Sequence, residues 1–420
     1  MSILALAWHS LKNRWGTASL TVAAIALSVT LLLGVERIRE GAQSSFENTI
    51  SGTDLIIGPR TGDVQLLLYT VFRIGAPTTT LSWESYKAVV ALPDVAWSIP
   101  IELGDSHRGY RVLGTNNEYF KFFQHGNHQP IEFAAGNAFA DVFDAVLGWE
   151  AARELGYQLG QPITISHGIS EVAMQEHERK PFRIAGILKR TGTPVDRTVH
   201  LSLEGITALH ADWQTGAAPA QDQEIPVEEL RKRDLTPKSI TGMFVGLKSK
   251  IGLLRMHRFV NMYQPEALSA IIPGATLGQL WRTIGVAETA LRAVSAFVVL
   301  AGLLGMLTAI LTTLNERRRE MAILRSVGAR PYHVFAILVS EALYLTFSGC
   351  AVGIGLLYLV LAVAQPLIER GFGLFIPVKP LAMFDWLVLG AIVVAAFLAG
   401  CIPAWRAYRN ALSDGLTIRL

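Results

Sequence analysis

Four stretches of the chain stay free of charge for long enough to cross a bilayer. The hydrocarbon core is about 30 Å thick and a helix rises about 1.5 Å per residue, so a span needs roughly 20 mostly apolar residues. Gly16–Val35 has 20 uncharged residues, Ala293–Leu314 has 22, Ala342–Ile368 has 27 and Trp386–Trp405 has 20. The first is preceded by Lys12 and Arg14, as a secretory signal would be. Its apolar run exceeds the usual roughly 7–15 residues, and no small-x-small site ends it before Glu36, so an uncleaved anchor is expected. Ile3–Trp15 carries Trp8 and Trp15 one heptad apart beside Lys12 and Arg14, and reads as an interfacial helix.

Between the first two spans the pattern changes. Asp54–Ile57, Ala96–Leu103, Gly109–Leu113, Pro162–Ser166, Phe182–Leu188, Thr198–Leu201 and Met243–Leu247 are short, rich in Ile, Val and Leu, and often alternate, as strands do. Trp83–Leu92, Gly148–Leu155 and Leu203–His210 predict helices. Ser82 with Glu84, and Ser202 with Glu204, supply N-caps and early acids, while Gly156 stops the second helix. Gln214–Pro237 is rich in Gln, Ala, Glu and Pro and predicts an exposed loop. Gly41–Asn48 is expected to extend the first span outward, and Leu277–Arg292 to run unbroken into the second.

Basic residues near the span ends set the orientation. The loop between the second and third spans holds Arg317, Arg318, Arg319, Arg325 and Arg330, and the tail holds Arg406, Arg409 and Arg419. The loop between the last two spans has only Arg370 and Lys379, offset by two acids. Both termini and the Arg-rich loop are therefore expected to be cytoplasmic. The fold class is an α-helical membrane protein with four transmembrane helices and a large mixed α+β extracytoplasmic domain between the first two. The expected layout is an interfacial helix at 1–15, spans at 16–40, 286–314, 334–368 and 386–405, and the outer domain at 41–285. A cytoplasmic loop at 315–333, a short outer loop at 369–385 and a cytoplasmic tail at 406–420 complete it.

Composition agrees. Of 420 residues, 51% are hydrophobic and 17% charged, against about 25% charged in an ordinary soluble chain. A net charge of +3 excludes a strongly basic nucleic-acid binder. The two cysteines, Cys350 and Cys401, lie in apolar runs, which excludes a disulfide scaffold or a CxxC metal site. Without GxxxxGK[ST], any ATP must be bound by another chain. GxSxG is missing, which removes the serine-hydrolase elbow. Eight of the ten histidines lie in the outer segment: His107, His125, His128, His167, His177, His200, His210 and His257. None falls in an HExxH pattern, so solvated or packed histidines are expected rather than a metal site. The uncharged span interiors argue against an ion-coupled transporter. Glu341, one or two turns inside the start of the third span, is expected to snorkel or to be buried near the cytoplasmic face, with pairing to an Arg of the preceding loop as the alternative.

The loop Asn315–Pro331, NERRREMAILRSVGARP, carries the most information. Glu316–Arg319 continue the second span. Met321, Ala322, Leu324, Arg325 and Gly328 form a short amphipathic pattern that Gly328 can cap and Pro331 ends. By composition alone an Arg-rich stop-transfer and lipid anchor is the favoured reading.

The stretch ERRREMAILRSVGARPYHVF resembles the cytoplasmic loop of the MacB/FtsX-type (type VII) ABC transporter permeases. Leu6–Val35 resembles their N-terminal interfacial helix and first span, ISGTDLIIG their G-x-D-[LI] element, and IPAWRAYRNALSDGLTIRL their closing segment. Leu412–Gly415 departs from the commoner Pro-[VL]-E-[AT]-L. In the outer domain the match is thin: VLG near Leu147, LGQPITI and FRIAGILKRTG echo the family pattern.

The resemblance implies a non-enzymatic permease subunit, dimeric with itself or a homologous permease, in the bacterial inner membrane with a periplasmic domain. It would bind no cofactor and no metal, and ATP and Mg would sit on two copies of a separate ATPase. It implies mechanotransmission: ATPase motion drives the periplasmic domain to export or extract a periplasmic or membrane-derived substrate. A periplasmic adaptor, carrier or lipoprotein and membrane lipids are the further partners. Under the resemblance Glu316, Arg317, Arg318, Arg319 and Glu320 place the loop, and Met321, Leu324, Arg325, Val327 and Gly328 dock on the ATPase. Gly349, Gly353 and Gly355 in the third span are expected to permit close helix packing, against the alternative of ordinary membrane-helix composition. Two rival readings are an FtsX-like, non-transporting regulator of a periplasmic enzyme and a zinc-linked ABC system built on the outer histidines.

Overall fold

The computed structural model describes residues 15–126, 128–168, 179–212, 225–316, 326, 330–372 and 379–409. The chain divides into two compact units: Met1–Gly41, Gly285–Leu367 and Ile376–Leu420 form one, and Ala42–Ile284 with Ile368–Phe375 the other.

Among the described residues, four helices that run through the first unit are long and apolar enough to cross a membrane. The helices are Trp15–Thr49, Pro273–Glu316, Pro331–Phe372 and Met383–Arg409, here spans 1 to 4. Both predicted extensions are present: the span 1 helix continues to Thr49, and the span 2 helix begins at Pro273. The unit's core draws on every span, with Ile25, Val29 and Leu33 meeting Met306 and Ile310, Leu338 and Leu345, and Ala396. Large apolar side chains such as Leu27, Phe297, Leu359 and Leu398 stay on the outside, as a hydrocarbon solvent requires. Glu341 is buried about three turns into the span 3 helix.

The second unit is built on one mixed sheet. Among the described residues its strands are β1 Leu55–Pro59, β2 Val95–His107, β3 Tyr110–Thr115, β4 Phe133–Gly136 and β5 Asp144–Leu147, then β6 Pro162–Ile163, β7 Ser166–His167, β8 Phe182–Leu188, β9 Thr198–Ser202, β10 Gly242–Leu247 and β11 Leu268–Ile271. Neighbours follow the order β11-β1-β10-β2-β3-β9-β5-β8-β4, with β7 on β2 and β6 on β8. Strands β3 and β9 pair in parallel, as do β5 and β8, so long crossovers join them. In β8, Phe182, Ile184 and Leu188 are buried while Arg183 is exposed, the period-2 pattern of a strand with one face on a core. Strands β1, β5 and β9 are buried on both faces, so the apolar residues of β1 and β5 run together rather than alternating, while β9 buries Thr198, His200 and Ser202 as well.

Helices α1 Asp63–Phe72, α2 Trp83–Val90, α3 Trp149–Leu155, α4 Leu203–Leu209 and α5 Leu253–Asn261 cover the sheet. The predicted caps are present. The Ser82 hydroxyl accepts from Ser85 N–H and the Ser202 hydroxyl from Gly205 N–H. Gly156 ends α3 at φ +68°, a left-handed turn that costs glycine little. The exposed-loop expectation for Gln214–Pro237 needs correction. Val227–Leu230 forms a helical turn, and Leu230 and Leu235 are buried in an apolar cluster with Phe143 and Phe182. A single turn is too short to show periodicity in the sequence. Residues 213–224 lie outside the described residues.

Candidate functional site

In the membrane unit, span 1 is the hub. A Cβ on Gly349 would stand 2.6 Å from Ile25 Cγ2, and one on Gly353 would stand 2.8 Å from the Ala26 carbonyl oxygen. The two glycines thus let the span 1 and span 3 backbones approach, the small-residue packing that substitutes for hydrophobic attraction in lipid. The Thr30 hydroxyl strengthens the contact, lying 2.8 Å from the Ala26 carbonyl and 2.9 Å from the Gly353 carbonyl. Gly355 has nothing within 4 Å and takes no part in this packing. Two small residues that the sequence reading passed over act the same way. Gly302 of span 2 sits against Ser28, whose hydroxyl reaches the Val298 carbonyl at 3.1 Å, and Gly400 of span 4 sits against Ala342.

Ion pairs tie the spans near one end. Glu36 meets Arg39 at 2.5 Å and Arg292 at 2.9 Å, and Glu288 meets Arg39 at 3.2 Å and Arg292 at 2.8 Å. Span 1 thereby grips span 2 through four alternating charges. Arg37 pairs with Asp385 of span 4, both buried, and also donates to the Pro380 carbonyl at 2.8 Å. The second Asp385 role is a cap: its Oδ2 accepts from Ala382 N–H at 2.8 Å. The sequence signal was present in Glu36-Arg-Ile-Arg-Glu40 and in the i, i+4 pair Glu288 and Arg292, but pattern alone does not say which helix each charge faces.

The predicted coupling residues fall differently. Glu316 is the last residue of the span 2 helix. Arg317, Arg318, Arg319, Glu320, Met321, Leu324, Arg325, Val327 and Gly328 lie outside the described residues.

The outer histidines do not form one group. His177 is outside the described residues. His107 is held by the Thr164 carbonyl at 2.6 Å and the Tyr157 hydroxyl at 2.9 Å. His200 is wholly buried and bonds the Val146 carbonyl at 3.1 Å; burial first, then the Arg73 charge, push its imidazole down to about 3. His167 and His210 converge on Asp105, which sequence spacing gave no reason to expect. Burial pushes the Asp105 carboxyl up, but the two imidazoles pull it down further, to about 2. The same carboxylate raises His167. Nearby, burial and then the Asp105 charge push the Glu102 carboxyl up to about 8.

Residues 18–245 match the MacB-like periplasmic core domain family, more than half of the chain, and residues 292–412 match the FtsX-like permease C-terminal family. The macrolide export ATP-binding/permease protein MacB of Nitrobacter winogradskyi is 32% identical over 405 residues, which cover 93% of this chain and 56% of that protein. The pyoverdine export ATP-binding/permease protein PvdT of Pseudomonas syringae pv. tomato is 23% identical over 425 residues, covering 96% and 57%. Among solved structures, the periplasmic region of MacB from Actinobacillus actinomycetemcomitans aligns with a TM-score of 0.34 at 10% identity, over 55% of this chain and 94% of that one. The chain spans about half the length of the curated relatives it matches.

Proposed function

The chain belongs to the MacB/FtsX family of ABC transporter permeases, and from that premise we propose that it converts ATP turnover on separate ATPase subunits into motion of its periplasmic domain. The observation that carries this reading is the helix Pro273–Glu316, 44 residues without a break. It begins directly after outer-domain strand β11 and ends where the Arg-rich loop begins, so one element joins the region expected to meet the ATPase to the region expected to move. The 420 residues contain no phosphate loop, which supports a reading in which ATP and Mg are bound outside them. The span interiors offer no charged path for a hydrophilic substrate, which favours movement of a periplasmic or membrane-derived substrate over conduction through the spans. The relatives named for macrolide and pyoverdine export favour export as the direction.

In this reading the chain sits in the inner membrane as a dimer, termini and Arg-rich loop on the cytoplasmic side. Glu316 to Glu320 set the loop, and Met321, Leu324, Val327 and Gly328 fill a groove on the ATPase, the helix-in-groove mode. The test is affinity purification of the tagged full chain from native membranes in mild detergent with ATP. The wild type is expected to retain an ABC ATPase, and Leu324→Asp to lose it while inserting at the wild-type level. A Leu324→Asp protein that keeps the ATPase overturns the docking assignment. A wild type that retains none overturns the proposed coupling.

A further inference from the structure

We propose that Asp105, His167 and His210 form a binding site for a divalent transition-metal ion of the zinc type on the outer domain. The three ligand atoms form a nearly equilateral triangle. Asp105 Oδ1 lies 3.2 Å from His167 Nδ1 and 3.5 Å from His210 Nε2, and the two nitrogens are 3.3 Å apart. Bonds of about 2.0–2.1 Å in tetrahedral geometry place neighbouring ligand atoms about 3.4 Å apart. The triangle therefore has the size of one face of a tetrahedral zinc site. Two imidazoles with one carboxylate suit zinc and its neighbours in the first transition row, and three protein ligands leave a fourth position open.

The protonation pattern points the same way. His210 Nδ1 lies 3.1 Å from the Ile206 carbonyl, which can only accept, so Nδ1 carries the proton. In the neutral ring this leaves a lone pair on Nε2, aimed at the carboxylate and at His167. A backbone carbonyl fixing one ring nitrogen while the other faces the ligand cluster is the usual outer-shell arrangement of metal-binding histidines. Asp105 is 97% buried by its 3% residual exposure, and no donor hydrogen is aligned on its Oδ1. A buried carboxylate oxygen with no aligned donor, set beside two ring nitrogens, suits a cation.

Three separate elements hold the triangle. Asp105 lies at a bulge in β2, where the register on β3 slips between Leu103 and Ser106. Bulges re-aim a side chain, and here β7 places His167 directly opposite Asp105. His210 is the C-cap of α4. Buried Lys180 fixes that end, donating to the Ala208 carbonyl at 3.2 Å, the Leu209 carbonyl at 2.9 Å and the Asp212 carboxylate at 2.6 Å. His167 is 46% and His210 28% exposed, so an ion can reach the site.

The test titrates zinc into the metal-stripped, purified full chain against a chromophoric chelator, with cobalt(II) as a spectroscopic stand-in. One ion per chain and the visible bands of tetrahedral cobalt are expected. His167→Gln and His210→Gln should each weaken zinc by more than the roughly 10–100-fold that losing an outer-shell partner costs. His125→Gln and His128→Gln should leave the affinity unchanged. His167 is half exposed, so its replacement disturbs no core, and a wild-type circular dichroism spectrum checks this. Absence of stoichiometric zinc overturns the proposal and leaves the triangle as a proton-held ion pair. Unchanged affinity in the His167→Gln/His210→Gln double variant also overturns it. Neither readout involves the ATPase, so failure here is separable from failure of the coupling reading.

Discussion

At Gly349 and Gly353 the contact is settled by the absence of a side chain. A Cβ at either site meets span 1 at 2.6 to 2.8 Å, and at Gly353 the obstacle is backbone oxygen, which cannot rotate aside. Overpacking of this kind costs about 1–3 kcal/mol per site. Gly349→Val and Gly353→Val should therefore each lower the unfolding temperature of the detergent-solubilised protein, while Gly355→Val, with open space around it, should not. Equal losses at all three would mean that helix composition, not packing against span 1, sets the stability. The sequence names all three glycines but not their faces, because two glycines two residues apart point to different sides of a helix. The same limit hid Asp105, His167 and His210. Their spacing carries no motif, and only the pairing of β7 with β2 and the cap of α4 bring them together.

Helix α4 shows what was legible in an element and why. Its boundaries follow from Ser202 before an apolar run, and the structure satisfies that cap twice over. The Ser202 hydroxyl accepts from Gly205 N–H at 2.9 Å and donates to the Val142 carbonyl at 3.1 Å. Ser202→Ala loses both, with a cap worth typically about 1 kcal/mol. The expected result is a lower denaturation midpoint with an unchanged denaturant slope, read on the outer-domain transition of the full chain. A Ser202→Thr replacement, whose hydroxyl can both accept from Gly205 N–H and donate to the Val142 carbonyl, should recover most of the loss. Were Ser202→Ala neutral, the capping hydrogen bond would not be contributing net stability. Strand β8 was equally readable, since its buried and exposed positions alternate along Phe182–Leu188. Helix α1 was not. Six of its residues, from Leu66 to Phe72, are buried, so it shows no polar face and no period. Strand β11 fails for a different reason, as four buried residues are too few to separate from a helix segment.

Across the whole molecule, the two compact units have separate cores, and the sequence separated them by charge and apolar length alone. What it did not reveal is how the spans hold one another. Span 1 is joined to span 2 by the Glu36, Arg39, Glu288 and Arg292 charges and to span 4 by Arg37 with Asp385. The second tie is the more decisive, because both partners are buried. Removing one member of a buried pair costs about 3–5 kcal/mol, here leaving Arg37 the Pro380 carbonyl and the more distant Glu40 at 3.8 Å, whereas replacing both with apolar residues is often nearly neutral. Asp385→Leu should thus destabilise the solubilised protein strongly, and Arg37→Leu/Asp385→Leu should restore most of the lost stability. The Asp385 cap on Ala382 N–H is lost in both variants, so recovery should stop about 1 kcal/mol short of the wild type. On the coupling proposed above, ATP turnover in a complex reconstituted with an ABC ATPase then separates two roles. If the pair only holds span 4 in place, the double variant regains turnover along with stability. If the pair orients span 1 during the ATPase cycle, stability returns but turnover does not, because apolar contact lacks the directional hydrogen bonds from Arg37 to Pro380 and Asp385. The directional geometry, with one guanidinium nitrogen serving both acceptors, favours the second outcome.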